Sequence, residues 1–117
     1  HGSSTIQNDR CETSAIKRTL GDHAYEVPVT SLKSMIGHPL AAASAIELAI
    51  CAKSFQEKYL PPTANYVTPD PECDLNYLPN RGASWAGTHI LKQANGFGGL
   101  HAAVVMRAIQ EESISDV

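Results

Sequence analysis

Three short stretches of this 117-residue chain gather residue types that do chemistry. His1 opens the run HGSST, Lys33 and His38 bound the run KSMIGH, and Phe97 sits in NGFGG, residues 95–99. A histidine can donate a hydrogen bond while neutral, and the partner of its other ring nitrogen sets which nitrogen does so. Two such donors aimed at one oxygen stabilise negative charge that exists only along a reaction path. A glycine-rich turn brings backbone N–H groups close enough to bind an oxyanion. Taken singly each stretch is ordinary: a lone histidine beside a glycine is usually structural or exposed, and a GFGG turn is usually a hairpin link. His23 and His89 read as surface residues and His101 as one that packs or supports a site residue from behind. Cys11, Cys51 and Cys73 are odd in number and lack CxxC spacing, so neither a disulfide framework nor a metal site is expected.

The elements that must position these stretches can be read from periodicity and punctuation. A helix is expected from Asn8 or Asp9, as caps, to Leu20, with Gly21 as its stop. Val27–Leu32 is β-branched and predicts a short strand, followed by a loop over 33–39. A second helix is expected from Pro39 to Glu57; its middle, AAASAIELAICA, is apolar nearly all round and predicts burial. Residues 59–81 carry five prolines and predict an irregular connection. Thr88–Ala94 and Leu100–Arg107 read as strands that can pair across the glycine-rich link, and 108–117 reads as a frayed tail. The order fits an α/β fold, a mixed sheet with helices on its face. A chain this short cannot cover an all-apolar helix, which suggests part of something larger.

Composition narrows the function. Nine basic and twelve acidic residues give a net charge of −3, against a nucleic-acid or anionic-membrane surface as the main partner. With 43% hydrophobic and 18% charged residues the chain is globular, and no apolar run reaches the length of a membrane span. A reducing, cytoplasmic compartment is the expectation.

In combination the stretches are far more specific. HGSSTIQNDRCETSAIK, VTSLKSMIGHPLAAASAIE, PPTANYVTPDPECDLNYLPN and NGFGG, in this order and spacing, resemble the C-terminal half of β-ketoacyl-acyl-carrier-protein synthases, the ketosynthases of fatty-acid and polyketide assembly. The resemblance runs to about Arg107 and implies the C-terminal half of a thiolase-like fold, one domain over 1–117 that is incomplete at its N-terminus. It implies a Cys-His-His site in which His1 and His38 are the two histidines, with Lys33 beside the second and Glu47 in support. Ser3 and Thr5 would hold the pantetheine arm of an acyl carrier protein. Gly96, Phe97, Gly98 and Gly99 would form a gate, with the Phe97 N–H in the oxyanion hole. The implied partners are the acyl carrier protein, the missing N-terminal half and a second subunit, identical or not. No cofactor is expected on the chain itself, the substrates riding on the carrier's phosphopantetheine.

Ser4 stands where the family usually has glycine, and Asn95 where fatty-acid members usually have phenylalanine. HGSxTxQNDRxET and PPTANxxTPDPECDL are closer to the aromatic, type II polyketide ketosynthases. No cysteine here matches the family's nucleophile motif, so the chain is expected to be inactive alone. A non-catalytic chain-length or scaffold subunit is the alternative, disfavoured because His1, Lys33 and His38 are all kept. A thiolase is disfavoured by the Lys33–His38 pattern.

Overall fold

The structure, a computed structural model, describes residues 1–109. Its first helix, α1, spans Ile6–Leu20. The cap is Thr5, whose Oγ1 accepts from the Asn8 N–H at 3.2 Å, so the expected caps Asn8 and Asp9 lie inside the first turn. Asp9 still suits the positive end of the helix, and Lys17 and Arg18 the negative end. Gly21 ends the helix, and a 3-10 turn follows over Gly21–Tyr25.

The strand expected over Val27–Leu32 does not form. A strand needs a neighbour offering a ladder, and this segment lies against the proline-rich connection instead. Its partners are scattered: the Val29 N–H donates to Asn76 O at 2.8 Å, Thr30 Oγ1 to Pro61 O at 2.8 Å, and the Ser31 N–H to Thr63 Oγ1 at 3.0 Å. The loop expected at 33–39 opens instead with a single helical turn, α2, Lys33–Ile36, closed by Gly37 at φ 75°.

The second long helix starts later than Pro39. A 3-10 turn covers Leu40–Ala42, and α3 then spans Ala43–Glu57. Of its residues only Ala43, Glu47 and Ser54 are buried. The expectation of a buried helix therefore fails among the described residues, where the first and third strands and Trp85 cover part of α3 and leave much of it exposed.

The proline-rich connection begins with a short strand, β1, Tyr59–Leu60, paired antiparallel with β2, Ala83–Ser84. Trp85, just past β2, packs on Phe55 of α3 at 5.4 Å between ring centroids. The rest of the connection is irregular, as expected, and is tied by an isolated bridge between Thr63 and Pro79. The expected hairpin is present. β3, His89–Gly96, pairs antiparallel with β4, Leu100–Arg107, in a register that sets Asn95 opposite His101. Asn95 and Gly96 belong to the strand, so the link is Phe97-Gly98-Gly99. Gly98 and Gly99 take φ 78° and 79°, which side-chain-bearing residues seldom adopt.

The α/β class stands, but its strands form two separate two-stranded antiparallel sheets rather than one mixed sheet. The molecule is elongated, 57 × 29 × 26 Å. Among the described residues the buried apolar ones are Ala24, Leu32, Ala43, Leu60, Leu75 and Leu78. His101 is exposed and bonded to Asn95 rather than packed. Of the tail expected over 108–117, residues 110–117 lie outside the described residues. Among the described residues no helix is long and apolar enough to cross a membrane.

Gly82 just before β2 has no room for a side chain: a Cβ there would meet the Leu60 carbonyl and the Tyr59 ring. Gly82→Ala is expected to destabilise the protein by about 1–3 kcal/mol, measured by denaturant unfolding.

Candidate active site

The HGSST loop is folded back and held from below by α1. Glu12, one turn and a half into that helix, accepts four hydrogen bonds at 2.7 Å, from the His1 and Gly2 backbone nitrogens, Asn8 Nδ2 and Gln93 Nε2. Burial acts to raise the Glu12 pKa, and the hydrogen bonds from the Gly2 N–H and Asn8 Nδ2 act to lower it. Gly2 takes φ 57°, and a Cβ there would collide with Ser31, whose Oγ donates to Gly2 O at 3.0 Å. The loop is thus fixed at both faces of its second residue. Glu12 is spelled out in the HGSxTxQNDRxET pattern, but its contacts arise only when the loop before it turns back over the helix.

This docking brings His1 to His38. Their ring centroids are 5.3 Å apart and their planes nearly perpendicular at 78°. Both rings line a cleft of roughly 680 Å³ that also takes in Ser3, Thr63, Tyr66 and Gln93. His38 is exposed to it, and its Nδ1 accepts from the Leu40 N–H at 3.1 Å. In the neutral ring the proton therefore sits on Nε2, which is left to donate to a substrate oxygen. The His1 side chain is about nine-tenths buried, and its Nδ1 has no hydrogen-bond partner among the described residues.

Lys33 was expected beside His38. It lines the same cleft as His38, and its ammonium donates to the His1 carbonyl oxygen at 2.7 Å and pairs with Glu47 Oε1. The turn of α2 carries the Lys33 side chain inward. Lys33 thus positions the first histidine. Glu47 is buried with polar partners, as expected of a supporting residue. Its second oxygen pairs with Lys92 of β3 at 3.0 Å, and Lys92 also donates to Ser44 Oγ at 2.8 Å. Burial favours the neutral acid of Glu47, but hydrogen bonds and charge from the two ammoniums outweigh this and hold its pKa below the usual range. Lys92 escaped sequence reasoning, although the alternation of β3 signals it: Lys92 shares a face with Ile90 and Ala94.

Other candidates are placed differently. Ser3 is half-buried in the cleft, whereas Thr5 is exposed, caps α1 and is not among the cleft-lining residues. Its hydroxyl proton is left to donate. Phe97 is 96% exposed at the hairpin tip, and neither it nor Gly96, Gly98 and Gly99 lines the cleft. Cys11 is exposed on α1, and Cys51 is half-buried, its thiol pKa pushed up by burial and by Glu47. Cys73 lines the cleft but makes no side-chain bond to an imidazole. The arrangement therefore offers two adjacent imidazoles and a supporting charge cluster, with no cysteine bonded to an imidazole among the described residues.

Residues 1–67 match the family described as beta-ketoacyl synthase, C-terminal domain, and the chain belongs to that family. Among relatives, it is 52% identical over 111 residues to the tetracenomycin polyketide synthase ketoacyl synthase alpha subunit of Streptomyces glaucescens, covering 95% of this chain and 26% of that protein. Its backbone superimposes, with a TM-score of 0.91 and 52% identity, on a solved complex of a type II polyketide acyl-carrier protein with its ketosynthase bound to the hexaketide, over 93% of this chain and 27% of that one. The ishigamide ketosynthase/chain length factor matches with a TM-score of 0.89 and 31% identity, over 94% and 27%. These likenesses identify the fold as the C-terminal part of a thiolase-like fold. The chain spans about a quarter of the length of these relatives.

Two outcomes test the site's construction. Ser4 holds φ 63°, the left-handed region that favours glycine, so Ser4→Gly is expected to stabilise the protein by about 1 kcal/mol, read by thermal unfolding. Glu47→Gln leaves two buried ammoniums facing a neutral amide and should cost roughly 3–5 kcal/mol at neutral pH. Because the folded pKa of Glu47 is depressed, its contribution is fully present above the unfolded value and is lost as pH falls through the lower, folded one. Unfolding measured from neutral into acid should therefore show the wild type and the variant converging.

Proposed function

We propose that this chain is the histidine-bearing C-terminal part of a β-ketoacyl synthase that condenses an acyl thioester with a malonyl thioester in polyketide assembly. In that reaction the malonyl carboxylate leaves as carbon dioxide, and its bonding electrons form an enolate on the thioester. The enolate carbon attacks the acyl carbonyl, and the thiolate that carried the acyl group departs. The single observation that carries the reading is the pair of imidazoles on one cleft, 5.3 Å apart. His38, with Nδ1 occupied by the Leu40 N–H, presents an Nε2–H donor to the enolate oxygen, and His1 supplies the second donor. The polyketide assignment is favoured by the tetracenomycin relative.

The nucleophilic cysteine comes from the part of the parent protein N-terminal to His1, so the isolated chain is inactive in this reading. Substrates arrive on the phosphopantetheine of an acyl carrier protein, the chain itself binding no cofactor. Ser3 and the free hydroxyl proton of Thr5 suit the amides of that arm, and the Phe97 turn serves as gate and oxyanion donor once the remainder of the protein covers it. The parent works as a dimer, homomeric or heteromeric. The ishigamide neighbour keeps a second reading in view, a chain-length-factor subunit. The retained His1, Lys33 and His38 weigh against it.

The test separates two half-reactions in the full-length parent. His38→Ala is expected to lower carbon dioxide release from the malonyl thioester by about 10²–10³-fold. Loading of a radiolabelled acyl group should stay near the wild-type rate. Phe97→Ala should instead disturb loading and chain selectivity. Blocked loading with normal carbon dioxide release in His38→Ala would overturn the assignment.

A further inference from the structure

Part of the histidine cleft is lined by a segment with little to hold it in place. We propose that residues 67–74 form a strap that swings aside to admit the arm of a thioester substrate to the two histidines, and that Arg10 and Lys17 of α1 are its latch. What enters the cleft rests on the ketosynthase reading; the strap and its latch do not.

Val67, Asp70 and Cys73 of the segment line the cleft, as do Asp9, Thr13 and Ile16 of α1. Both ends of the segment are anchored. Before it, the Tyr66 N–H donates to Asn80 Oδ1 at 2.9 Å, and Asn80 Nδ2 donates to Tyr66 O at 2.5 Å. The Tyr66 ring stacks on Tyr77 at 6.5 Å between centroids. After it, Leu75 is buried, Asn76 O accepts from the Val29 N–H at 2.8 Å, and the Tyr77 and Thr13 hydroxyls are bonded at 2.6 Å.

Between these anchors none of residues 67–74 is buried. Their backbone bonds to no other element among the described residues. The bonds inside the segment close on Asp70, from the Cys73 N–H to its carbonyl and from the Glu72 N–H to Oδ1, each at 2.9 Å. Pro69 and Pro71 stiffen the stretch. A loop with tied ends, a stiff middle and few buried contacts opens as a unit against little resistance.

The bonds that hold it shut are ionic, and every acidic residue of the segment has its cation on α1. Arg10 Nε reaches Asp70 Oδ2 at 3.3 Å, Arg10 Nη1 reaches Glu72 Oε2 at 2.5 Å, and Lys17 pairs with Asp74. These pairs stand at the surface, where water and salt weaken them, so the latch releases readily.

Cys73, half-buried on the cleft, reads the position of the strap. In the full-length parent, its labelling by iodoacetamide, an uncharged reagent, is followed by peptide mass mapping beside exposed Cys11 and half-buried Cys51. Arg10→Gln removes two pairs and is expected to speed Cys73 labelling by about 3–10-fold, with Cys11 and Cys51 no faster. A positive charge near a thiol favours the reactive thiolate, so losing Arg10 would by itself slow Cys73, and acceleration reads opening. Lys17→Gln should act in the same direction. Arg10→Lys, which keeps the charge, and Arg18→Gln, which removes an exposed cation of α1 outside the latch, should stay near the wild-type rate. Cys73 labelling that is not raised by Arg10→Gln or Lys17→Gln, or that is raised equally by Arg18→Gln, overturns the latch. So does Cys51 accelerating together with Cys73, the mark of general loosening. Saturating S-methylpantetheine, which carries the arm without a reactive thiol, should slow Cys73 labelling in the wild type. If the variants behave as expected and this probe gives no protection, the entry of a thioester arm is overturned, and with it the ketosynthase reading of what the cleft holds, while the latch stands.

Discussion

A carboxylate buried between two ammoniums is the constraint on which the rest of this structure turns. Glu47 is 5% exposed, and an ionised carboxylate removed from water is tolerable only when paired and hydrogen-bonded. Its partners come from α2 and β3, while the carboxylate itself comes from α3. Three elements far apart in sequence are thereby fixed to one point in a molecule whose buried apolar core is small. The direction of each side chain is fixed as well, because an ammonium that missed Glu47 would be a buried charge without a partner. Lys33 then carries this rigidity to the carbonyl of His1.

A second carboxylate does the same on the other side. Glu12 holds the backbone of His1 and Gly2 and is reached by Gln93. Gln93 and Lys92 are neighbours on β3, and neighbouring side chains of a strand point to opposite faces. One strand therefore reaches α1 with one residue and α3 with the next. His1 is clamped between these two systems, its nitrogen to Glu12 and its carbonyl to Lys33, and its ring is left in a cleft with His38.

What the sequence made legible follows from how local each signal is. The helix to Leu20, the helix to Glu57 and the hairpin are dictated by periodicity, by Gly21 and by the Gly98-Gly99 pair, and all three are present with ends shifted by a few residues. Val27–Leu32 misled because β-branching describes a residue's fitness for a ladder and says nothing of whether a neighbouring strand is there. His1 and His38 were legible through their motifs. Lys33 was legible as a charge but not as a partner of His1, since the turn of α2 decides where its ammonium goes. Glu12 stands in a motif and Lys92 on one alternating face of β3, but their roles are made by contacts far along the chain that neither signal specifies. Phe97 shows the converse: a motif marks it, yet the described chain leaves it standing free.

The sequence separation of those contacts also sets the order in which the site can come into being. Glu12 meets Gln93 across 81 positions, Lys92 meets Ser44 across 48, and Lys33 meets His1 across 32. Each closure costs chain entropy before any contact repays it, and pairings of high sequence separation slow folding. α1 and the hairpin draw on local contacts and can form early, whereas the clamp on His1 requires β3, made some eighty residues later, to be seated between two helices. During synthesis the histidine that begins this segment must wait until its far end has emerged. The imidazole pair is therefore a product of long-range docking rather than of local folding.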